Sequence, residues 1–211
     1  MNKTRLEAFS DGVIAVIITI MVLEMKVPHD ADPHALVPLI PVFLSYVLSF
    51  VYVGIYWSNH HHMFHAVHRV NGAILWANLH LLFWLSLVPF VTGWMDETHF
   101  APLQVAAYGG LLLLCACAYT ILTRVLIAEH GRHSLIAKAL GNDFKGNISL
   151  AIYIVAIAFA FWLPWVAGLL YVVVAAIWLV PGPAFRAVAR RQAQGVVVSG
   201  RDAARCKIRG S

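Results

Sequence analysis

Charged side chains are scarce in this chain: they make up 12% of its residues, whereas soluble domains carry about 25%. Hydrophobic residues account for 61% of the 211 positions. Most of the chain must therefore face lipid or other apolar helices, which excludes a water-soluble fold.

Cysteine is also rare, and the three residues of this type are Cys115, Cys117 and Cys206. An odd number gives no paired disulfide framework, and a Cys-x-Cys within an apolar run lacks the second pair that a zinc site needs. The sequence contains no Ser/His/Asp arrangement, phosphate-cradling loop or Walker motif. We predict no disulfide, no resident metal and no cofactor.

Apolar segments long enough to cross a bilayer, at about 20 residues each, dominate what is present. They lie at 4–26, 36–58, 70–94, 101–127, 147–164 and 166–185. The last two share an uncharged run that Pro164 divides, which predicts a tight helical hairpin. The fold class is therefore an all-α, polytopic membrane protein with six transmembrane helices, in a domain over residues 1–192. Residues 193–211 read as a weakly ordered basic tail.

The start of the chain is similar to a signal peptide, because Lys3 and Arg5 precede an apolar run. Glu7 and Asp11 interrupt that run, and no small-residue cleavage site follows it. We therefore expect this segment to be retained as the first helix.

The net charge of +5 reports topology rather than nucleic-acid binding. All Lys and Arg residues except Lys26 fall on one side of the six spans, and the other side carries acidic loops. Cytoplasmic loops carry the excess of basic residues. Both termini are therefore predicted to be cytoplasmic, in the inner membrane of the cell.

An ionisable group inside a span marks function or a specific partner, because its transfer into lipid is costly. Asp11 is such a group, and it ends the stretch Arg5-Leu6-Glu7-Ala8-Phe9-Ser10-Asp11. This R-x-x-x-F-S-D motif resembles the transmembrane-protein-175 family of potassium-permeable channels. The resemblance continues at Tyr56-Trp57, at Asn78-Leu79-His80 and at Pro89-Phe90, and it covers about residues 5–95.

The resemblance implies a homotetramer in which the first helix of each chain lines a central pore. It implies a bulky apolar constriction, a polar threonine and a second apolar position at the seventh, tenth and fourteenth residues after the motif phenylalanine. Those positions are Val16, Thr19 and Leu23 here. The expected permeant species are K⁺ and other monovalent cations, with no carbonyl filter of the T-V-G-Y-G type.

Helical periodicity agrees with this assignment but does not decide it. Val16, Thr19, Ile20 and Leu23 fall on one stripe at about 3.6 residues per turn. The same spacing describes an ordinary packing seam. As a pore, the stripe would close by dewetting at Val16, Ile20 and Leu23, with Thr19 contacting a partly dehydrated cation and giving weak selectivity.

Asp11 lies about 140° around the helix from Val16, so it should point away from the pore. A buried carboxylate needs hydrogen-bond partners. We predict a polar network that locks the first helix to its own subunit. Its expected members are Arg5, Phe9, Ser10, Asp11, Trp57, Asn78 and His80. A water-filled vestibule around Asp11 is the alternative.

Five histidines end the second span: His60, His61, His62, His65 and His68. The cluster fits an interfacial structural role, a pH-sensing role or a metal site. It is also similar to the histidine boxes of di-iron membrane enzymes, but there is no second box. A proton-leak pathway or a secondary transporter is a further alternative, although the first span has no internal proline to interrupt it.

Overall fold

A computed structural model describes residues 2–25, 27, 32–65, 67, 69–131 and 144–179, and these residues contain helices and no strand. The proposed tail at 193–211 and the end of the sixth predicted span lie outside the described residues. The helices are α1 (Lys3–Leu23), a short 3-10 helix (Pro33–Leu39), α2 (Ile40–His65), α3 (Gly72–Ser86), α4 (Val88–Glu97), α5 (Pro102–His130), α6 (Phe144–Ala160) and α7 (Pro164–Leu179).

Four described segments are long and apolar enough to cross a membrane: Lys3–Leu23, Leu36–His65, Gly72–Glu97 and Pro102–His130. The apolar helices α6 and α7 are shorter, at 17 and 16 residues. Together they correspond to the six predicted spans, so the all-helical membrane architecture is confirmed.

The third predicted span, 70–94, is two helices rather than one continuous helix. Its break lies at Leu87, between α3 and α4. Pro89 explains the break, because its ring has no N–H to donate and crowds the carbonyl four residues earlier. The chain nevertheless continues in the same direction, since the Val91 N–H donates to the Leu87 carbonyl at 3.1 Å.

A helical hairpin joins α6 to α7, as the sequence predicts. The Leu163 N–H donates to the Phe159 carbonyl at 2.8 Å, and Pro164 then opens α7. Proline is favoured in the first turn of a helix, where the N–H that it lacks has no partner. The turn is therefore three residues long, from Phe161 to Leu163.

The centre of the protomer forms around α5, where one glycine permits a close helix contact. A Cβ atom on Gly109 would lie 2.1 Å from the Tyr171 hydroxyl oxygen of α7. That hydroxyl instead donates to the Val105 carbonyl at 3.1 Å. Helix α7 packs on α2, α5 and α6, whereas α1 packs on α2, α3 and α4.

Candidate functional site

Helix α1 has one face that packs inside the protomer and one face that does not. The packed residues are at most 3% exposed, and they are Leu6, Ser10, Ile14, Ile17 and Met21. On the opposite side, Val16 is 54% exposed, Ile20 41% and Leu23 80%. The predicted pore positions therefore lie on the uncovered face of α1.

The uncovered face carries a heptad pattern that the sequence prediction named only in part. The residues of this pattern are Phe9, Gly12, Val16, Thr19 and Leu23, all of them exposed, and Ile20 is exposed beside them. Alternating steps of three and four residues describe the seam of helices that associate with one another. We name this set the α1 seam. Both faces of α1 are mostly apolar, so periodicity alone did not show which one the protomer would bury.

The side chain of Thr19 has a defined orientation on the seam. Its hydroxyl donates to the Val16 carbonyl of the preceding turn at 2.9 Å. The proton is thus directed into the helix, which leaves the lone pairs of the hydroxyl oxygen to accept. An oxygen in this state can contact a cation and is poorly suited to an anion.

On the packed side, a chain of side-chain hydrogen bonds connects α1, α2 and α3. His60 Nε2 lies 2.7 Å from Asn78 Oδ1, and Asn78 Nδ2 donates to Ser10 Oγ at 2.9 Å. The Ser10 hydroxyl donates to the Leu6 carbonyl at 2.9 Å. All three side chains are buried. Since an amide oxygen can only accept, His60 must carry a proton on Nε2.

Asp11 has a separate partner on α2. The Trp57 indole Nε1–H donates to Asp11 Oδ1 at 3.0 Å. Asp11 is half-buried, and Trp57 is exposed. The two residues therefore join α1 to α2 at the edge of the uncovered face.

Three residues assigned to the network from the sequence lie outside these hydrogen bonds. Arg5 and Phe9 are exposed, and Phe9 belongs to the α1 seam on the opposite side of the helix. His80 faces away from Asn78, since two residues turn a helix by about 200°. Its Nε2 instead accepts from the Trp84 indole N–H at 2.9 Å.

His60 is the network member that sequence reasoning missed. The sequence prediction treated it as part of the histidine cluster, but His61, His62 and His65 are exposed. His60 is buried and stacks on Phe64, with ring centroids 4.4 Å apart. One signal could have separated it, because His60 shares a helix face with the buried Tyr52 and Val53.

The rest of the histidine cluster lies at the exposed end of α2. The rings of His61 and His65 are 4.6 Å apart between centroids, and His61 also stacks on Trp57. His68 lies outside the described residues. Among the described residues, no group of three or more His, Cys, Asp or Glu side chains is placed to hold a metal ion.

Glu24 lies at the C-terminal end of the uncovered face of α1, next to α4. A Cβ atom on Gly93 would lie 3.3 Å from Glu24 Oε2, so the absence of a side chain at this position lets the carboxylate approach α4. The groove between α1 and α4 runs from Phe9 past Val16 and Ile20 to Glu24. This places a carboxylate at the far end of the α1 seam from the N-terminus.

Long apolar helices define a polytopic α-helical membrane protein, and its first helix leaves one apolar face uncovered. The family described as endosomal/lysosomal potassium channel TMEM175 matches residues 5–89. A potassium channel of Chryseobacterium sp. (strain P1-3) is 55% identical over 181 residues, which are 86% of this chain and 94% of that relative.

A solved structure agrees with this match. The crystal structure of a lysosomal potassium-selective channel TMEM175 homologue from Chamaesiphon minutus superposes with a TM-score of 0.75 at 30% identity, covering 84% of this chain and 96% of that one. The human endosomal/lysosomal proton channel TMEM175 is 35% identical over 86 residues, which are 35% of this chain and 17% of that protein. The chain belongs to the TMEM175 family, whose members are channels and not enzymes.

Proposed function

We propose that this protein is a homotetrameric, potassium-permeable and weakly selective cation channel, with four copies of α1 around the conduction path. The observation that carries the proposal is the exposure of the whole α1 seam in the single protomer. In a bilayer, such a seam gains from packing against copies of itself. The names of the bacterial relatives support potassium as the permeant ion.

Val16, Ile20 and Leu23 form the gate in this proposal. Four copies of each would make rings of apolar side chains, and a narrow apolar path closes to ions when water leaves it. Val16 is the smallest of the three residues, so the ring that it forms closes least tightly. Gating then requires only a small outward movement of α1 to wet the path.

Thr19 contributes the selectivity, between Val16 and Leu23. Its hydroxyl proton is held by the Val16 carbonyl, so in the proposed tetramer four Thr19 oxygens are available to accept a cation at the axis. They replace part of the hydration shell of an ion, at fewer and less fixed positions than a stacked carbonyl filter. We therefore expect potassium to be preferred modestly over sodium, with caesium passing readily.

The orientation follows from charge. Basic residues on the N-terminal side of α1 place both termini in the cytoplasm, with the protein in the cell membrane. Glu24 then lies at the outer mouth, where its carboxylate would raise the local concentration of cations.

Recording from purified protein in planar bilayers under bi-ionic potassium and sodium gradients tests the proposal. We expect the sign of the reversal potential to show that potassium is more permeant than sodium. We also expect the reversal potential to be insensitive to a pH gradient. The absence of current from protein that elutes as a tetramer would contradict it.

Proton conduction is a second candidate, because the human relative is named a proton channel. In this alternative His61 and His65, whose ring centroids lie 4.6 Å apart at the exposed end of α2, deliver protons to the cytoplasmic end of α1. In that case the reversal potential would follow the pH gradient at fixed potassium, and His61→Gln with His65→Gln would reduce the proton current.

A further inference from the structure

His80 presents a hydrogen-bond donor on a surface that the protomer leaves open. A tryptophan indole can only donate, so His80 Nε2 must accept the 2.9 Å bond from Trp84. The neutral imidazole then carries its proton on Nδ1. Within the part of the chain that the structure describes, Trp84 is the hydrogen-bond partner of His80, and the ring is exposed.

This donor lies in the membrane-spanning part of α3, in an aromatic stripe. Trp76 is 73% exposed and Phe83 is 55% exposed, on either side of His80 along the same face. The span runs from Gly72 to Glu97. Hydrocarbon offers no acceptor, and intramembrane ionisable residues are therefore usually turned toward another protein surface.

A matching acceptor lies at the same depth on α2. His60 and Asn78 are level with each other, because their side chains are in hydrogen-bond contact. Helices α2 and α3 run in opposite directions, so Ser58 and His80 both lie about 3 Å further toward the outside, at about 1.5 Å per residue. The Ser58 side chain is exposed on α2.

Rotational symmetry would bring these two surfaces together. Helix α2 flanks α1 on the Asp11 side, through Trp57, and α4 flanks it on the other side, along the groove that ends at Glu24. With α1 of every copy at a common axis, the α3 and α4 flank of one subunit faces the α2 flank of the next.

We propose that His80 of each subunit donates its Nδ1–H to the Ser58 hydroxyl of the adjacent subunit, with Trp76 and Phe83 packed around this contact. The inference rests on the proposed tetramer and names the surface that holds it together outside the pore. Trp84 has a positioning role, since its bond to Nε2 selects the tautomer that donates.

Disulfide trapping tests the contact in full-length protein reconstituted in lipid. The background carries Cys117→Ser and Cys206→Ser and keeps the buried Cys115. The test variant adds Ser58→Cys and His80→Cys, and the matched control adds His80→Cys and Val172→Cys, since Val172 is an exposed residue of α7, which packs away from α1. We expect mild oxidation to link chains through Ser58→Cys and His80→Cys, and not in the control.

A third variant distinguishes failure of the His80 contact from failure of the proposed tetramer. Leu23→Cys, on the α1 seam, should link chains in any α1-lined assembly. If Leu23→Cys links chains and Ser58→Cys with His80→Cys does not, the His80 contact is wrong and the tetramer stands. If neither links chains and no potassium current is seen, the proposed function itself fails.

Conservative substitution gives an independent readout. Glutamine can accept from Trp84 and donate across the contact, whereas leucine can do neither. We expect His80→Leu to raise tetramer dissociation in detergent by about threefold for each intersubunit hydrogen bond that it removes, as for interhelical hydrogen bonds in membranes. His80→Gln should stay near the parent protein. Equal dissociation of the two variants would overturn the inference.

Discussion

The Trp57 indole and the Asp11 carboxylate are joined by a 3.0 Å hydrogen bond that connects α2 to α1. Asp11 belongs to the motif that opens α1, but it points to the side of the α1 seam rather than along it. In the proposed tetramer, the acidic residue of the motif orients the helix within its own subunit and leaves the α1 seam available to the other copies.

Asp11→Ala should therefore impair assembly more than ion selectivity. It removes a hydrogen bond to a charged acceptor, a class that contributes about 1.5–3 kcal/mol when fully buried, and less here because Asp11 is half-buried. Size-exclusion chromatography gives the tetramer yield, and bi-ionic recording gives the selectivity. Trp57→Phe, which removes only the donor, is the control. Normal tetramer yield with altered ion ratios would contradict this role.

Asn78→Leu should destabilise the protein more than Asp11→Ala does. Asn78 bonds both His60 and Ser10, and all three are buried. Each buried polar group left without a partner costs about 1–3 kcal/mol. Thermal unfolding in detergent measures the loss. Ser10→Ala should cost less, and the double variant less than the sum, because the two residues share one bond.

Val16→Ser should increase the potassium current of channels at rest. A hydroxyl in this apolar ring favours water in the path and weakens dewetting. Val172→Ser is the matched control, since Val172 is exposed to 48% and Val16 to 54%, but Val172 lies on α7. Single-channel recording should show a higher open fraction for Val16→Ser alone. Equal effects of the two substitutions would argue against a gate at Val16.

Thr19→Val should bring the potassium to sodium permeability ratio close to one. Valine has nearly the shape of threonine, so the change removes the oxygen and preserves the packing. Thr19→Ser keeps the oxygen and should keep most of the selectivity. Bi-ionic reversal potentials measure both, and an unchanged ratio in Thr19→Val would exclude Thr19 as the selective position.

Gly109→Ala should destabilise the protomer by about 1–3 kcal/mol, the usual cost of overpacking. Its new Cβ would collide with the Tyr171 side chain and displace the hydrogen bond to Val105. Gly110→Ala is a matched control, because a Cβ on Gly110 meets nothing within 4 Å. Thermal unfolding should separate the two neighbours, and equal melting temperatures would contradict the contact.

The sequence predicted the six apolar spans and their order, because hydropathy and the hairpin at Pro164 are local properties. Hydropathy does not show the break at Leu87, because Pro89 lies within a continuous apolar run. The prediction named Asn78 and Trp57 among the partners of Ser10 and Asp11, and the structure has both hydrogen bonds. The prediction wrongly included His80 in the network and missed His60. Helices that are apolar on all sides show no periodicity from which the buried face can be predicted.

Cysteine accessibility during recording tests most directly whether the α1 seam lines the path. A positively charged, membrane-impermeant thiol reagent is applied to Thr19→Cys or Leu23→Cys channels, with Met21→Cys as the control, since Met21 is 3% exposed. We expect the reagent to reduce the current through the first two variants, and potassium to protect them. Modification of Met21→Cys with equal effect, or no effect at Thr19→Cys and Leu23→Cys, would contradict the account.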